Sequence, residues 1–189
     1  MEVVMTTKVF IAGSITIKNL DPKVKERIAN IVDQGFEVLV GDADGVDSSV
    51  QNYLSELNAK AVTVFCSGEV PRNNSGSWSV EPVSTLHKEG SRAFFTAKDV
   101  KMAETADFGL MIWDTKSTGT LSNVIELLSA KKKSVVFVNK DKIFKNVSSI
   151  EHLEDLIGLM SDHAKKKAED KIRLSEKVSS LKNEQLNMF

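Results

Sequence analysis

Residues 36–57, FEVLVGDADGVDSSVQNYLSEL, run from a short apolar segment through a turn bracketed by Gly41 and Gly45 into a helical pattern. FEVLVG has the length and apolar character of a buried strand, and Val46, Val50, Tyr53, Leu54 and Leu57 fall on one face of the helix that follows. Residues 61–66 then return as strand. Upstream, residues 8–12 (KVFIA) form a strand pattern ending in Gly13-Ser14. Between these strands Asp21 offers an N-cap with Pro22 at the first helical position, and Val24, Ile28, Ile31 and Val32 recur at helical spacing until Gly35. The order is βαβαβ.

Downstream the alternation resumes: helix over 91–106, strand over Phe108–Trp113, helix over 122–130 and strand over 134–138. Strands joined by helices of this length pair in parallel, with right-handed crossovers covering both faces. The expected fold is α/β, a doubly wound, Rossmann-like sheet of five parallel strands in the order 3-2-1-4-5, with the first strand central. Residues 67–90 hold Pro71, Pro82 and Trp78 without sustained periodicity and read as one long loop, either over the site or mobile. The expected division is a nucleotide-binding domain over 1–147 and a C-terminal helical extension over 148–189. In the extension Leu153, Leu156, Ile157 and Met160 share a face, and the part beyond Ala164 reads as a solvated helix. Its sharper alternative is a dimer or partner helix using Ile172, Val178 and Leu181, the basis for expecting a homo-oligomer.

With 189 residues, 41% hydrophobic and 27% charged, the chain matches a single globular core with an appendage. A formal net charge of -1 gives no general basic excess, which disfavours a dedicated nucleic-acid binder and favours a small anionic ligand. Cys66 is the single cysteine, so no internal disulfide forms and a reducing compartment is expected. It reads as an inert strand-end residue. His87, His152 and His163 show neither a cysteine-histidine signature nor metal-ligand spacing, and no metal or cofactor is expected. The N-terminal segment carries no basic leader, and no apolar stretch reaches spanning length, so the expected location is cytoplasmic with no membrane contact.

In a doubly wound sheet the ligand crevice lies beyond the carboxyl ends of the strands, where the N–H groups opening each helix are unpaired. Three such turns carry glycine: Gly13-Ser14, Gly41-Asp42-Ala43-Asp44-Gly45, and Asp114 to Thr120, DTKSTGT. Asp42 and Asp44 oppose phosphate at the second turn and suit ribose hydroxyls or a base. The third turn, with Lys116, Ser117, Thr118, Gly119 and Thr120, is the better phosphate seat. Arg92, near the start of its helix, is the best cation to meet that phosphate.

These segments resemble the SLOG superfamily, the Rossmann-like group that joins the DNA-processing protein DprA to the Lonely Guy phosphoribohydrolases. GDADGVDSSVQNYL resembles the group's glycine-rich turn, usually GGARGVD, and STGTLSNVIELLSAKKKSVVFV resembles its SGS/TL helix and GKxVxxV strand. RAFFTAKDVKMAETADFGLMIWD is similar to small bacterial and phage members of unassigned activity. The likeness covers roughly residues 8–139 and implies the fold more firmly than a function. Two departures matter. Asp44 replaces the arginine of GGARGVD, which weakens the DNA-handling reading. KSTGTLSN replaces the hydrolases' PGGxGTxxE, putting Asn123 at the position of their glutamate.

The leading expectation is therefore a protein that binds a nucleotide or nucleotide derivative, a sensor being one form, with Gly13, Ser14, Gly41, Asp42, Gly45, Arg92, Ser117, Gly119 and Thr120 at the site. Whether it is an enzyme is left open. One alternative is an N-glycosidic hydrolase or transferase acting on nucleoside 5′-phosphates, with Asp42, Asp114 and Glu126 as candidate acids, Asp114 and Glu126 foremost. A second is a DprA-like DNA-handling protein.

Overall fold

A computed structural model describes residues 4–188. Five of its strands are those legible in the sequence: β1 (Lys8–Gly13), β2 (Glu37–Gly41), β3 (Val62–Ser67), β5 (Phe108–Trp113) and β6 (Lys133–Val138). All neighbours among them pair in parallel, in the order β3-β2-β1-β5-β6 with β1 central.

Two further strands make the sheet seven-stranded, which corrects the expected five. Within the segment read as one long loop, β4 (Ser79–Val83) pairs in parallel with β3. Beyond β6, β7 (Ile143–Val147) returns antiparallel to it. Both are edge strands, largely exposed, so neither needs the apolar run that marks an interior strand of a parallel sheet. SVEPV even contains a proline, tolerated because an edge strand keeps one side unpaired.

The alternation of strand side chains divides the core in two. Val9, Ile11, Val38, Val40, Leu110 and Ile112 face α1 (Pro22–Asp33) and α2 (Val46–Glu56). Phe10, Ala12, Leu39, Met111, Trp113 and Val136 face α3 (Arg92–Thr105) and α4 (Thr118–Ser129). Both faces are covered, as a parallel sheet requires.

The second layer does not stop at α4. After α5 (Ile150–Ile157), α6 (Asp162–Ile172) and α7 (Leu174–Leu186) bury Ala168, Leu174 and Leu181 in the same hydrophobic cluster, with Ile172 and Val178 packed against it. The solvated reading beyond Ala164 is corrected accordingly, and the residues offered for a partner helix are used within the chain. Helix α6, DHAKKKAEDKI, hides this role because it seats itself with two alanines, Ala164 and Ala168, four residues apart on one face. No helix among the described residues is long and apolar enough to cross a membrane.

Candidate functional site

A crevice of about 520 Å³ opens beyond the carboxyl ends of β1 and β5, in the size range of small-molecule sites. Its floor depends on close backbone approach. A Cβ on Gly13 would lie 2.3 Å from the Ile112 carbonyl oxygen and within 3 Å of Val46, so only glycine fits where β1 ends.

One wall is the N-terminus of α4. Ser117 caps the helix, its Oγ accepting from the Thr120 N–H and hydroxyl. Asp114 fixes the approach: Oδ1 accepts from the N–H groups of Lys116 at 2.8 Å and Ser117 at 2.6 Å, and Oδ2 from the Thr16 hydroxyl at 2.8 Å. Burial works to raise the Asp114 carboxyl, but these hydrogen bonds outweigh it and hold the group below the usual carboxylate range. Fully buried Ser14 accepts from the Asp114 N–H and meets the Thr120 hydroxyl, linking the first and third turns. Gly119 faces open space, with nothing within 4 Å of where a Cβ would stand.

The crevice is cationic although the chain is not. Arg72, Arg92, Lys98, Lys116, Lys167 and Lys171 line it against three acids, Asp47, Asp99 and Asp114. Arg92 donates to the Thr118 hydroxyl at 3.0 Å. Among the described residues none of Arg92, Lys116, Lys167 and Lys171 pairs with a carboxylate. Lys171 is pulled below the usual lysine range by the charge of Lys167, with Arg92 adding to the effect. Like charges gathered without a paired carboxylate raise the local potential for anions.

Deeper in the crevice, Lys98 on α3 is 3% exposed and lies 2.7 Å from Asp99 Oδ1 and 3.7 Å from Asp47 Oδ2. Burial opposes its charge, but the carboxylates around it prevail, and its pKa is raised. Asp47 accepts from the Ala43 N–H, yet burial outweighs the pull of Lys98 and pushes its carboxyl up to about 6. Gly41 leaves room for this cluster, since a Cβ there would lie 2.4 Å from Asp47 Oδ2 and 2.6 Å from Lys98 Nζ.

The sequence-derived candidates separate at this point. Gly13, Arg92, Asp114, Ser117, Gly119 and Thr120 share the crevice wall. The second turn mostly faces elsewhere. Asp42 is 2% exposed and engaged by Arg72, the Gly41 carbonyl accepts from Gln51, and Gly45, at φ 77°, abuts the backbone of Ile15. Ser14 lies beneath the wall. Glu126 borders a neighbouring trough between α3, α4 and α6, with Lys177 and Ile172, and does not line the crevice.

Sequence reasoning missed Arg72, Asp47, Lys98, Lys167 and Lys171. A signal existed for Lys98. It stands one turn before Met102 on the buried stripe of α3, where a lysine has no packing reason to be.

No protein-family model matches the chain. No curated protein matches it either. Among solved structures, it is similar to DNA processing protein A from Helicobacter pylori, a structure described for that protein's single-stranded DNA binding mode. The TM-score is 0.52 at 20% identity, over 69% of this chain and 64% of that one. The likeness is one of fold. This chain thus matches somewhat less than two thirds of the length of DNA processing protein A, over a Rossmann-like α/β sheet.

Proposed function

We propose that the chain is a SLOG-superfamily protein that binds a nucleotide or nucleotide derivative, with a phosphate seated over Gly119 at the start of α4. The observation that carries this reading is the convergence of Arg92, Lys167 and Lys171, uncompensated by carboxylates, on a crevice that includes this helix N-terminus. Unpaired N–H groups and the helix dipole favour an anion there. Phe95 offers an apolar ring on the crevice wall beneath the Arg72 guanidinium, 4.4 Å from its centroid, suited to a base.

Turnover is not part of the proposal. Asn123 stands where the phosphoribohydrolases carry glutamate, and both oxygens of Asp114 already accept hydrogen bonds.

Thermal-shift and calorimetric titration against nucleoside mono-, di- and triphosphates tests the reading. A ligand at a hundred times its Kd raises stability by about 2.7 kcal/mol. Gly119→Asp should abolish that gain, because its carboxylate occupies the phosphate seat, while leaving the unliganded melting temperature nearly unchanged, because Gly119 faces open space. Absence of binding across the panel would overturn the proposal.

Single-stranded DNA is the second reading, supported by the DNA-binding structural neighbour and by the cationic lining. It predicts that thymidine oligomers bind with an affinity that falls steeply with salt, about 0.7 log units per log salt for each phosphate neutralised.

A further inference from the structure

The crevice has a neighbour. A trough of about 420 Å³ lies between α3, α4 and the junction of α6 with α7, and it shares Arg92, Thr96, Asp99, Gly119, Asn123 and Lys171 with the crevice. The shared residues mark a ridge between the two hollows, which includes Gly119, the proposed phosphate seat, and also the carboxylate of Asp99. A mononucleotide with its phosphate on the ridge fills only one side.

The trough has the lining of a second nucleoside site. Ala93, Val100 and Ile172 give it an apolar wall, Ser122 supplies a hydroxyl, and Glu126 and Arg173 add one charge of each sign. Lys177 lies at its border and pairs with no carboxylate among the described residues. One side chain stands where a ligand crossing the ridge would meet it. Asn123 is 6% exposed, lines both hollows, and makes no side-chain hydrogen bond among the described residues. Its carboxamide, with two donors and an acceptor, stays open to the solvent of the hollows, so a ligand lying across them would meet these groups in place of water.

Resting on the nucleotide reading of the crevice, we infer that the ligand consists of two nucleoside units joined through phosphate, one in the crevice and one in the trough, with the bridge over Gly119 beneath Arg92 and Lys171. A bridging phosphate, as diester or pyrophosphate, carries a substituent on each side. A terminal phosphate does not.

The test is calorimetry on the full chain with mononucleotides of the four bases, the matching phosphodiester dinucleotides, the pyrophosphate-bridged dinucleotides and a ten-residue thymidine oligomer. The expected result is at least tenfold tighter binding of one dinucleotide class than of its mononucleotide. The ratio should fall towards one in Val100→Glu and in Lys177→Glu, each checked for an unchanged circular dichroism spectrum and cooperative melting. The two bridge types report which linkage the ridge accepts. Mononucleotides binding as tightly as dinucleotides would overturn this inference and leave the nucleotide reading standing, whereas no binding by either would remove both. A thymidine oligomer binding more than tenfold tighter than every dinucleotide would also overturn it, in favour of a longer strand.

Discussion

Arg72 and Asp42, thirty positions apart, meet in a forked ion pair: Nη2 lies 2.8 Å from Oδ1 and Nε 3.1 Å from Oδ2, while the Arg72 backbone N–H donates to Oδ2 at 2.9 Å. The contact ties the segment between β3 and β4 to the end of β2. It also holds the guanidinium over Phe95 at the crevice wall.

Replacing Asp42 by alanine should therefore release this segment. The Asp42 side chain is 3% exposed but that of Arg72 is 43% exposed, so the freed guanidinium can be solvated and the loss stays modest. About 1.5–3 kcal/mol is expected, the usual range for hydrogen bonds to a charged group. Urea denaturation measures it, and nucleotide affinity should fall with it because Arg72 loses its anchor.

Asp47 should leave a mark on the pH dependence of stability. Its folded-state pKa, about 6, stands above the ordinary aspartate value of 3.8, so between those values the folded state holds the proton more tightly than the unfolded chain. Stability accordingly falls as pH rises from about 4 to 6, by on the order of 2–3 kcal/mol. Asp42 and Asp114, held below the usual range, act in the opposite sense at lower pH, where stability is lost as pH falls through their folded pKa values. In Asp47→Asn the decline between pH 4 and 6 should vanish. Denaturation series at half-unit pH intervals would show it, and an unaltered slope in the variant would assign the titration elsewhere.

Lys171 should trade stability for binding. Relief of its repulsion with Lys167 and Arg92 means that Lys171→Gln raises the melting temperature of the unliganded protein at low salt, with the gain shrinking as salt is added. The same change should weaken nucleotide binding severalfold. If the variant melted lower in low salt, the crowding of charges at the crevice mouth would be refuted.

Base release from nucleoside 5′-monophosphates should stay at background for the unaltered protein and for Glu126→Gln alike. Chromatography of the reaction mixture is sufficient. A wild-type rate above background that Glu126→Gln cut roughly hundredfold would make the hydrolase reading right, since that is the scale of a lost acid-base group.

The interior strands were legible because a strand buried on both faces must be a continuous apolar run, and KVFIA, FEVLVG and FGLMIW are such runs. Their order followed from the doubly wound reading, with the first strand central. β4 and β7 were not legible because an edge strand can be polar. At the site, the turns were visible as glycine and hydroxyl patterns, but Gly45 and Gly119 look alike in sequence and diverge in space, one against Ile15 and one towards open space. Lys167 and Lys171 sit within a charged stretch resembling any solvated helix. Only the packing of Ala164 and Ala168 turns that face to the crevice.

The outer strands β4 and β7 also bear on how copies of this chain meet one another. An open sheet offers unpaired backbone groups along both flanks, and a flat apolar flank invites a second copy to add its own strand, then a third. Here one flank is SVEPV, with the charge of Glu81 and the N–H-less Pro82, and the other is IFKNV, with Lys145 and Asn146. Each is only five residues long. Short, polar and interrupted, these borders act as selvedges: they finish the weave and discourage lateral growth into fibres at high concentration.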